Sequence, residues 1–232
     1  MTTGTAEQHF IFLNEISVRC SRMFIKICGI KSIEDLKIVE KYGNATGVIV
    51  KSVSKRNISL ERAREIITNS NIPVYAVSTV NTFKEWEEII TKTDTEYIQI
   101  HTDKIELNDI EKIKEIYNPK IIKAFKVPAS CENVNEEYKK LLNRISTYRN
   151  IVDYILLDTG KGTGKTHDLR ISKKISEVMD IIIAGGLKSE NVNNIIDYVR
   201  PYGVDVSSGV EKNDKKDEEL IKSFVYSIKN KN

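Results

Sequence analysis

Hydrophobic and polar positions alternate in blocks along most of this chain. From Met23 onward, short apolar runs rich in β-branched residues are separated by longer segments in which apolar residues recur at i, i+3 and i+4. The first pattern is typical of buried strands and the second of amphipathic helices. Eight runs follow one another: FIKIC (24–28), ATGVIV (45–50), PVYAV (73–77), YIQI (97–100), KIIKAF (120–125), DYILLD (153–158), DIIIA (180–184) and VDVS (204–207).

This order predicts a single (β/α)8 barrel, also called a TIM barrel. Each run is followed by a helical segment, and eight repeats of strand and helix are the number that closes such a barrel. The runs are nearly continuous in apolar residues, as expected of parallel strands covered on both faces. The alternative is a doubly wound open sheet, which usually carries a glycine-rich loop after its first strand. Here the first run ends in Cys28-Gly29 only.

Composition narrows the range of partners. The chain has 232 residues, and its 36 basic and 33 acidic side chains nearly cancel, which gives no electrostatic reason to expect a nucleic acid or a membrane surface. Three cysteines at unrelated spacings predict neither a disulfide framework nor a zinc site, so we expect a cytoplasmic protein. We predict a barrel domain over residues 23–232 and an N-terminal extension over residues 1–22, helical or disordered.

Small residues follow the last two runs. AGGLKSENV (184–192) and SSGVE (207–211) both place glycine or serine directly before a helix start. Backbone amides and the helix dipole favour an anion at such positions, and barrel enzymes commonly hold a phosphate there. We therefore expect a phosphate site made by the four residues Gly185, Gly186, Ser208 and Gly209.

Reactive and polar side chains recur near the ends of the other runs. In a barrel of this kind, the chemistry lies at the carboxyl ends of the strands. The candidates are Cys28, Arg56, Gln99, His101, Lys123, Asp158 and Asp205. A thiol and a carboxylic acid on opposite sides of a sugar can move protons without a metal, and a guanidinium group suits a second carboxylate. Together with the phosphate site, this set predicts a phosphorylated sugar that carries an acidic substituent.

The stretch LLDTGKGTGKTHD (156–168) superficially resembles a nucleotide-binding P-loop. That pattern requires a glycine five positions before the Gly of GKT, but Thr159 occupies the position and Gly160 comes one residue too late. Asp158 would also repel the phosphates. The P-loop interpretation therefore fails, and His167, which follows the loop, is expected at the surface.

Seven segments in order resemble the phosphoribosylanthranilate isomerases of tryptophan biosynthesis. They are KICGIKSIEDL (26–36), SKRNIS (54–59), IQIH (98–101), IKAFKV (122–127), LLDTGKGTGKTHDL (156–169), IAGGLKSENV (183–192) and GVDVSSGVE (203–211). The resemblance implies a cofactor-independent aldose–ketose isomerase without a metal. Its reaction is the Amadori rearrangement of N-(5-phosphoribosyl)anthranilate to 1-(2-carboxyphenylamino)-1-deoxyribulose 5-phosphate, the third step from chorismate. The expected partner is the phosphosugar alone, and the expected assembly is a monomer or a homodimer.

The resemblance also implies roles for individual residues. Asp158 would be the general acid, Cys28 the general base, and Arg56 the ligand of the anthranilate carboxylate. Asp205 would lie near the sugar, with Gln99, His101 and Lys123 as further substrate contacts. The glycine-rich loop containing Gly162, Thr163 and Gly164 would fold over the substrate and exclude water. A thiolate base requires a pKa for Cys28 below the free value of about 8.5, and Lys26 on the same strand face is the candidate that lowers it.

Two departures and two rival functions accompany this interpretation. The family usually has a glycine where this chain has Thr102, and the loop VKSVSKRNIS (50–59) lacks the proline and aromatic residues typical of the family. One rival is the aldose–ketose isomerase of the histidine pathway, which would have an aspartate where this chain has Cys28. The other is a non-catalytic protein that binds a phosphorylated ligand, against which the presence of both Cys28 and Asp158 argues.

Overall fold

A computed structural model describes residues 23–159 and 166–229 of the chain. The predicted extension over residues 1–22 and the loop residues Gly162, Thr163 and Gly164 lie outside the described residues, so the expectations for them stay predictions. None of the helices in the described part combines the length and the apolar character that crossing a membrane requires.

Strands and helices alternate along the described chain. The strands are β1 Phe24–Cys28, β2 Ala45–Val50, β3 Val74–Ser78, β4 Tyr97–Ile100, β5 Lys120–Lys126, β6 Tyr154–Asp158, β7 Ile181–Ala184 and β8 Gly203–Val206. The helices are α1 Ile33–Glu40, α2 Leu60–Thr68, α3 Phe83–Thr93, α4 Leu107–Tyr117, α5 Val134–Ser146, α6 Leu169–Ser176, α7 Ser189–Val199 and α8 Glu218–Lys229. Each strand lies within one or two residues of its apolar run in the sequence.

The strands form a closed parallel barrel. Pairing runs in chain order from β1 to β8, and β8 in turn pairs with β1, where Lys26 lies opposite Asp205. The prediction of a (β/α)8 barrel is confirmed. Because all strands are parallel, their carboxyl ends and the loops that follow them share one end of the barrel, which we call the mouth.

Short polar side chains fix where several helices begin. The side chains of Ser32, Ser59, Thr82, Asn133 and Asp168 each accept a hydrogen bond from a backbone N–H in the first turn of the helix that follows. Each bond satisfies a donor that the helix cannot satisfy itself. These caps hold the helix starts next to the strand ends, and therefore next to the mouth.

Two short β-pairings were not predicted from the sequence. Asn57–Ile58 pairs in parallel with the end of β2, and Glu211–Lys212 forms an antiparallel hairpin with Lys215–Lys216 after β8. Each strand is only two residues long, too short for a periodic pattern to reveal it. Both pairings lie at the mouth, and we call the second one the β8 hairpin.

Side chains along the strands alternate between two cores. The larger core lies between strands and helices and includes Trp86, Phe125 and Phe224. The smaller one fills the barrel and contains Cys28, Ala45, Tyr75, Val77, Ile122, Ala124, Leu156, Ile182 and Ala184. At the end opposite the mouth, the rings of Phe24, Tyr154 and Tyr202 stack with centroids 5.4, 5.8 and 5.9 Å apart. That end is closed by apolar packing, and the polar chemistry is confined to the mouth.

Candidate active site

The mouth collects inward-facing side chains from neighbouring strands. Lys26 of β1 lies opposite Asp205 of β8, which lies opposite Ala184 of β7. Continuing the β6–β7 pairing by one residue places Asp158 opposite Ala184 as well. The two carboxylates are therefore two strands apart, roughly 10 Å along the sheet, with a small side chain between them. Cys28 is the next inward position above Lys26, so the thiol and both acids open onto the same space.

A buried ion pair lies directly below the thiol. The Lys26 ammonium is fully buried, and its Nζ is 3.1 Å from both carboxylate oxygens of Asp205. Burial opposes the charge on Lys26, but the neighbouring Asp205 and Cys28 raise the pKa of Lys26 overall. The ammonium therefore stays protonated and lies between a carboxylate and the sulfur. The resemblance placed Asp205 near the sugar; the structure adds that Asp205 is the counter-ion of Lys26.

The expectation of a lowered Cys28 pKa is wrong for this site. Burial removes water from the thiol and raises the pKa of Cys28; the positive charge of Lys26 lowers it by less, and Asp205 adds to the increase. Cys28 is only 5% exposed, so a thiolate at this position loses most of its hydration. The sequence identified the right cation but could not show that a carboxylate neutralises it from 179 residues away.

Asp158 ends a chain of polar side chains that starts at Gln99. His101 Nε2 lies 3.3 Å from Asp158 Oδ2, and Gln99 Nε2 lies 3.1 Å from His101 Nδ1. Gln99 is 1% exposed and Asp158 has an 18% exposed side chain, whereas that of His101 is 34% exposed. The three residues were expected at one site and are brought together there, but as a connected line rather than as separate ligands.

Arg56 forms a bidentate ion pair with a carboxylate of the protein. Its Nε and Nη2 donate to the two oxygens of Glu211 at 2.7 and 2.6 Å. Lys216 Nζ also donates to Glu211 at 2.8 Å and to the carbonyl oxygen of Ser207 at 3.2 Å. Burial opposes the charge on Glu211, yet Arg56 and Lys216 hold the pKa of Glu211 at about 2. Glu211 and Lys216 were missed from the sequence, although Glu211 closes the SSGVE segment.

The expected phosphate residues lie together between β7, β8 and α7. Gly185 and Gly186 have φ angles of +88° and +66°, which side chains rarely adopt. A Cβ on Gly185 would also lie 2.5 Å from Asp158 Oδ1, and one on Gly209 would overlap the carbonyl group of Leu187. The two glycine segments are thus in backbone contact, close to the acid and to the first turn of α7. This arrangement suits a phosphate bound by backbone amides.

Lys123 is not brought into this group. Its neighbours Ile122 and Ala124 face the barrel interior, so Lys123 faces the helices, where it is fully buried. Its Nζ donates to the carbonyl oxygens of Thr102 and Ala124 at 2.7 and 3.0 Å, and burial lowers the pKa of Lys123 to about 8. Lys123 holds the loop after His101 from outside the barrel. The sequence could not show this, because Ile121 and Ile122 are both apolar and either could have faced the barrel interior.

His167 is buried, not at the surface as expected. It is 3% exposed, and its Nε2 lies 2.5 Å from the hydroxyl oxygen of Ser172. Burial lowers the pKa of His167 to about 4, so the ring is neutral at physiological pH.

This arrangement, at the mouth of a closed barrel, is typical of (β/α)8-barrel enzymes that act on phosphorylated small molecules. Residues 25–227 match the family model of N-(5'-phosphoribosyl)anthranilate isomerase. The chain belongs to this family.

Individual relatives agree with the family match. An N-(5'-phosphoribosyl)anthranilate isomerase of Methanococcus aeolicus is 62% identical over 207 residues, which cover 89% of this chain and 98% of the relative. The solved isomerase of Pyrococcus furiosus is 49% identical, with a TM-score of 0.83 over 90% of this chain and 99% of that one. Another solved structure is an isomerase in complex with reduced 1-(o-carboxyphenylamino)-1-deoxyribulose 5-phosphate. It is 32% identical, with a TM-score of 0.73 over 89% of this chain and 98% of that one.

Proposed function

We propose that this chain catalyses the Amadori rearrangement of N-(5-phosphoribosyl)anthranilate to 1-(2-carboxyphenylamino)-1-deoxyribulose 5-phosphate in tryptophan biosynthesis. The observation that carries the proposal is the shared opening of Cys28 and Asp158, from β1 and β6, above the Lys26–Asp205 pair. An acid and a base on two sides of one small space are what an aldose–ketose conversion requires.

Asp158 and Cys28 divide the proton transfers between them. Asp158 gives its proton to the furanose ring oxygen, the bond from that oxygen to C1′ breaks, and the anthranilate nitrogen becomes an iminium. Cys28, as the thiolate, takes the proton from C2′, and the electron pair of that C–H bond forms the C1′–C2′ double bond of a neutral enolamine. In the ketonisation that follows, water gives one proton to C1′ and takes one from the C2′ hydroxyl. Lys26 stabilises the thiolate for the moment in which it acts.

The remaining groups bind the two ends of the substrate. The backbone of Gly185, Gly186, Ser208 and Gly209 holds the phosphate, aided by the start of α7. Arg56 faces the anthranilate carboxylate, and because Glu211 occupies its Nε and Nη2, the substrate meets the remaining Nη1 side. Glu211 and Lys216 are positioning residues, since they act through Arg56.

Loss of the anthranilate fluorescence on turnover tests the function. The unmodified enzyme should consume N-(5-phosphoribosyl)anthranilate, and Cys28→Ala and Asp158→Asn should each reduce kcat by about 100-fold or more. Cys131→Ala removes a half-buried thiol that contacts Asp168 and none of the proposed catalytic groups, and it is the matched control, with activity expected within twofold of the unmodified enzyme. Tight product binding without any turnover would instead make the chain a binding protein.

The histidine-pathway rival is tested by the same preparation. That reaction rests on a carboxylate at the end of the first strand, a position occupied here by Cys28. We expect no turnover of the histidine-pathway substrate by the unmodified enzyme. The variant Cys28→Asp should not gain that activity and keep the anthranilate reaction as well.

Sedimentation equilibrium of the full chain distinguishes the two predicted assemblies, monomer and homodimer.

A further inference from the structure

We propose that His101, oriented by Gln99, is the residue through which Asp158 recovers its proton after each turnover. The resemblance made both residues substrate contacts; the geometry points instead to a relay behind the general acid. The inference rests on the proposed function, because it concerns the acid of that reaction.

The chemistry of the reaction creates the need for such a relay. Each turnover takes one proton from Asp158 for the ring oxygen and leaves one on Cys28, while ketonisation neither adds nor removes a proton overall. The enzyme therefore ends each cycle with a thiol at Cys28, which returns its proton to water, and with a carboxylate at Asp158, which must be protonated again. A side chain that touches both this carboxylate and solvent can supply the proton.

His101 meets both conditions. Its Nε2 lies 3.3 Å from Asp158 Oδ2, and its side chain is 34% exposed, against 18% for the acid. An imidazole has two ring nitrogens, so it can donate a proton from one while a neighbour holds the other. In the step itself, the Nε2–H bond of the imidazolium breaks and an O–H bond forms on Asp158. A neutral imidazole and a carboxylic acid remain, and water supplies the next proton to Nε2.

Gln99 suits both charge states of the ring. Its amide nitrogen lies 3.1 Å from His101 Nδ1, while its Oε1 has no hydrogen-bond partner among the residues that the structure describes. With the amide nitrogen facing Nδ1, the neutral ring carries its proton on Nε2, pointing at Asp158. With the amide turned over, Oε1 accepts from Nδ1–H of the imidazolium, because Gln carries a donor and an acceptor of similar shape. The Oε1 without a partner among the described residues is the acceptor that the imidazolium form would use.

The backbone around His101 is held from outside the mouth. Lys123 Nζ donates to the carbonyl oxygen of Thr102, the next residue, at 2.7 Å, and the His101 amide donates to the carbonyl oxygen of Ser78 at 2.9 Å. The backbone of His101 is thereby held in place, and Gln99 and Asp158 contact the two nitrogens of its ring. This rigidity favours a relay, which requires a constant distance to Asp158, over a ligand that closes around the sugar.

His101→Ala tests the inference by comparing first and later turnovers. With enzyme in excess over substrate, the first turnover uses a proton that is already on Asp158, so its rate should stay within about threefold of the unmodified enzyme. The steady-state rate should fall by about tenfold or more, and added imidazole should restore it in proportion to its concentration. Asp158→Asn should gain nothing from imidazole. Gln99→Met, which keeps the bulk but not the amide, should lower the steady-state rate in the same selective way.

Three results would overturn the inference. If His101→Ala and Gln99→Met each slow the first turnover and the steady state equally, and imidazole does not restore either rate, the pair is a binding or shape-holding element. Steady-state rates unchanged in both variants would show that water reaches Asp158 directly. Absence of any turnover by the unmodified enzyme would remove the proposed function together with the relay, whereas the first two results leave that function standing.

Discussion

Burial and charge act in opposite directions on the Cys28 thiol. Burial raises the pKa of Cys28, Lys26 lowers it by less, and Asp205 adds to the increase. As the proposed general base, Cys28 would be a neutral thiol for most of the time and a strong base when ionised. Its strength is useful, because the proton on C2′ is held by carbon and a weakly basic thiolate would remove it slowly.

The balance at Cys28 predicts an alkylation profile. In a chain with Cys20→Ser and Cys131→Ser, the rate of Cys28 alkylation by iodoacetamide should reach half its maximum at a higher pH than for a free cysteine, since burial raises the pKa of the thiol above its ordinary value. Asp205→Asn removes the carboxylate that offsets Lys26, so it should shift the profile to lower pH.

Controls for this profile are available in the same chain. Asp94→Asn changes an exposed carboxylate at the end of α3 and should leave the profile in place. Asp205→Asn leaves a buried ammonium without its partner, a loss of about 3–5 kcal/mol, so its fold is checked by circular dichroism first. A profile centred below pH 8 in the parent chain, or an upward shift in Asp205→Asn, would contradict the account.

At the scale of single elements, the β8 hairpin is a support for Arg56. Glu211 reaches Arg56 across 155 residues of sequence, and Lys216 bonds both Glu211 and Ser207. Ser207 in turn donates a hydrogen bond to the carbonyl oxygen of Cys28 at 2.9 Å. The β8 hairpin therefore connects Arg56, the expected ligand of the substrate carboxylate, to β1, which carries Cys28.

Glu211→Gln should separate binding from chemistry. Loss of the charge-assisted pair, worth about 1.5 kcal/mol, lets Arg56 leave its position, so KM for the substrate should rise about tenfold while kcat changes less than threefold. Glu65→Gln, which alters an exposed Arg–Glu pair on α2, is the matched control and should change neither. A lower KM in Glu211→Gln would mean that Glu211 competes with the substrate for Arg56.

Elements were easier to predict from the sequence than the directions of their side chains. The eight strands follow from apolar runs, because a parallel strand covered on both faces has a continuous apolar pattern. The same continuity conceals which residues face inward: in KIIKAF, Ile121 and Ile122 are equally apolar, so Lys123 was placed at the mouth although it faces the helices. Gln99 and His101, two residues apart, share a face as expected.

At the scale of the whole molecule, contacts between segments far apart in the sequence determine the ion pairs of the site, which could not be predicted from the sequence. Pairing of Lys26 with Asp205 and of Arg56 with Glu211 depends on closure of the barrel, which brings the start and the end of the chain together. The burial of His167 is likewise a product of packing and leaves no local signal. Candidate residues were therefore largely identified, but their ionisation and partners required the fold.

The buried neutral His167 predicts a pH dependence of global stability. Its pKa falls from 6.5 to about 4 in the folded chain, so its contribution is fully present above pH 6.5 and is lost as the pH falls towards 4. Between pH 7 and pH 5 the free energy of unfolding should drop by up to about 2 kcal/mol through this residue. Urea denaturation measures the drop.

His167→Gln is the comparison for that measurement. The variant should be less stable at pH 7, yet it should lose less on acidification to pH 5 than the unmodified chain. Asp168 and Glu211, whose pKa values lie at about 2, titrate below this window and do not obscure it. Identical slopes for both chains would contradict a buried neutral ring.

The Lys26–Asp205 contact joins the first strand to the last. During synthesis, Lys26 and Cys28 leave the ribosome long before Asp205, and until β8 docks beside β1 the sulfur is an ordinary thiol without this lysine and carboxylate around it. The proposed site is thus complete only once the last strand is in place. A prematurely terminated product that lacks β8 would carry Cys28 but neither Asp205 nor the glycine segment that follows β8, so a half-made enzyme could not assemble the site.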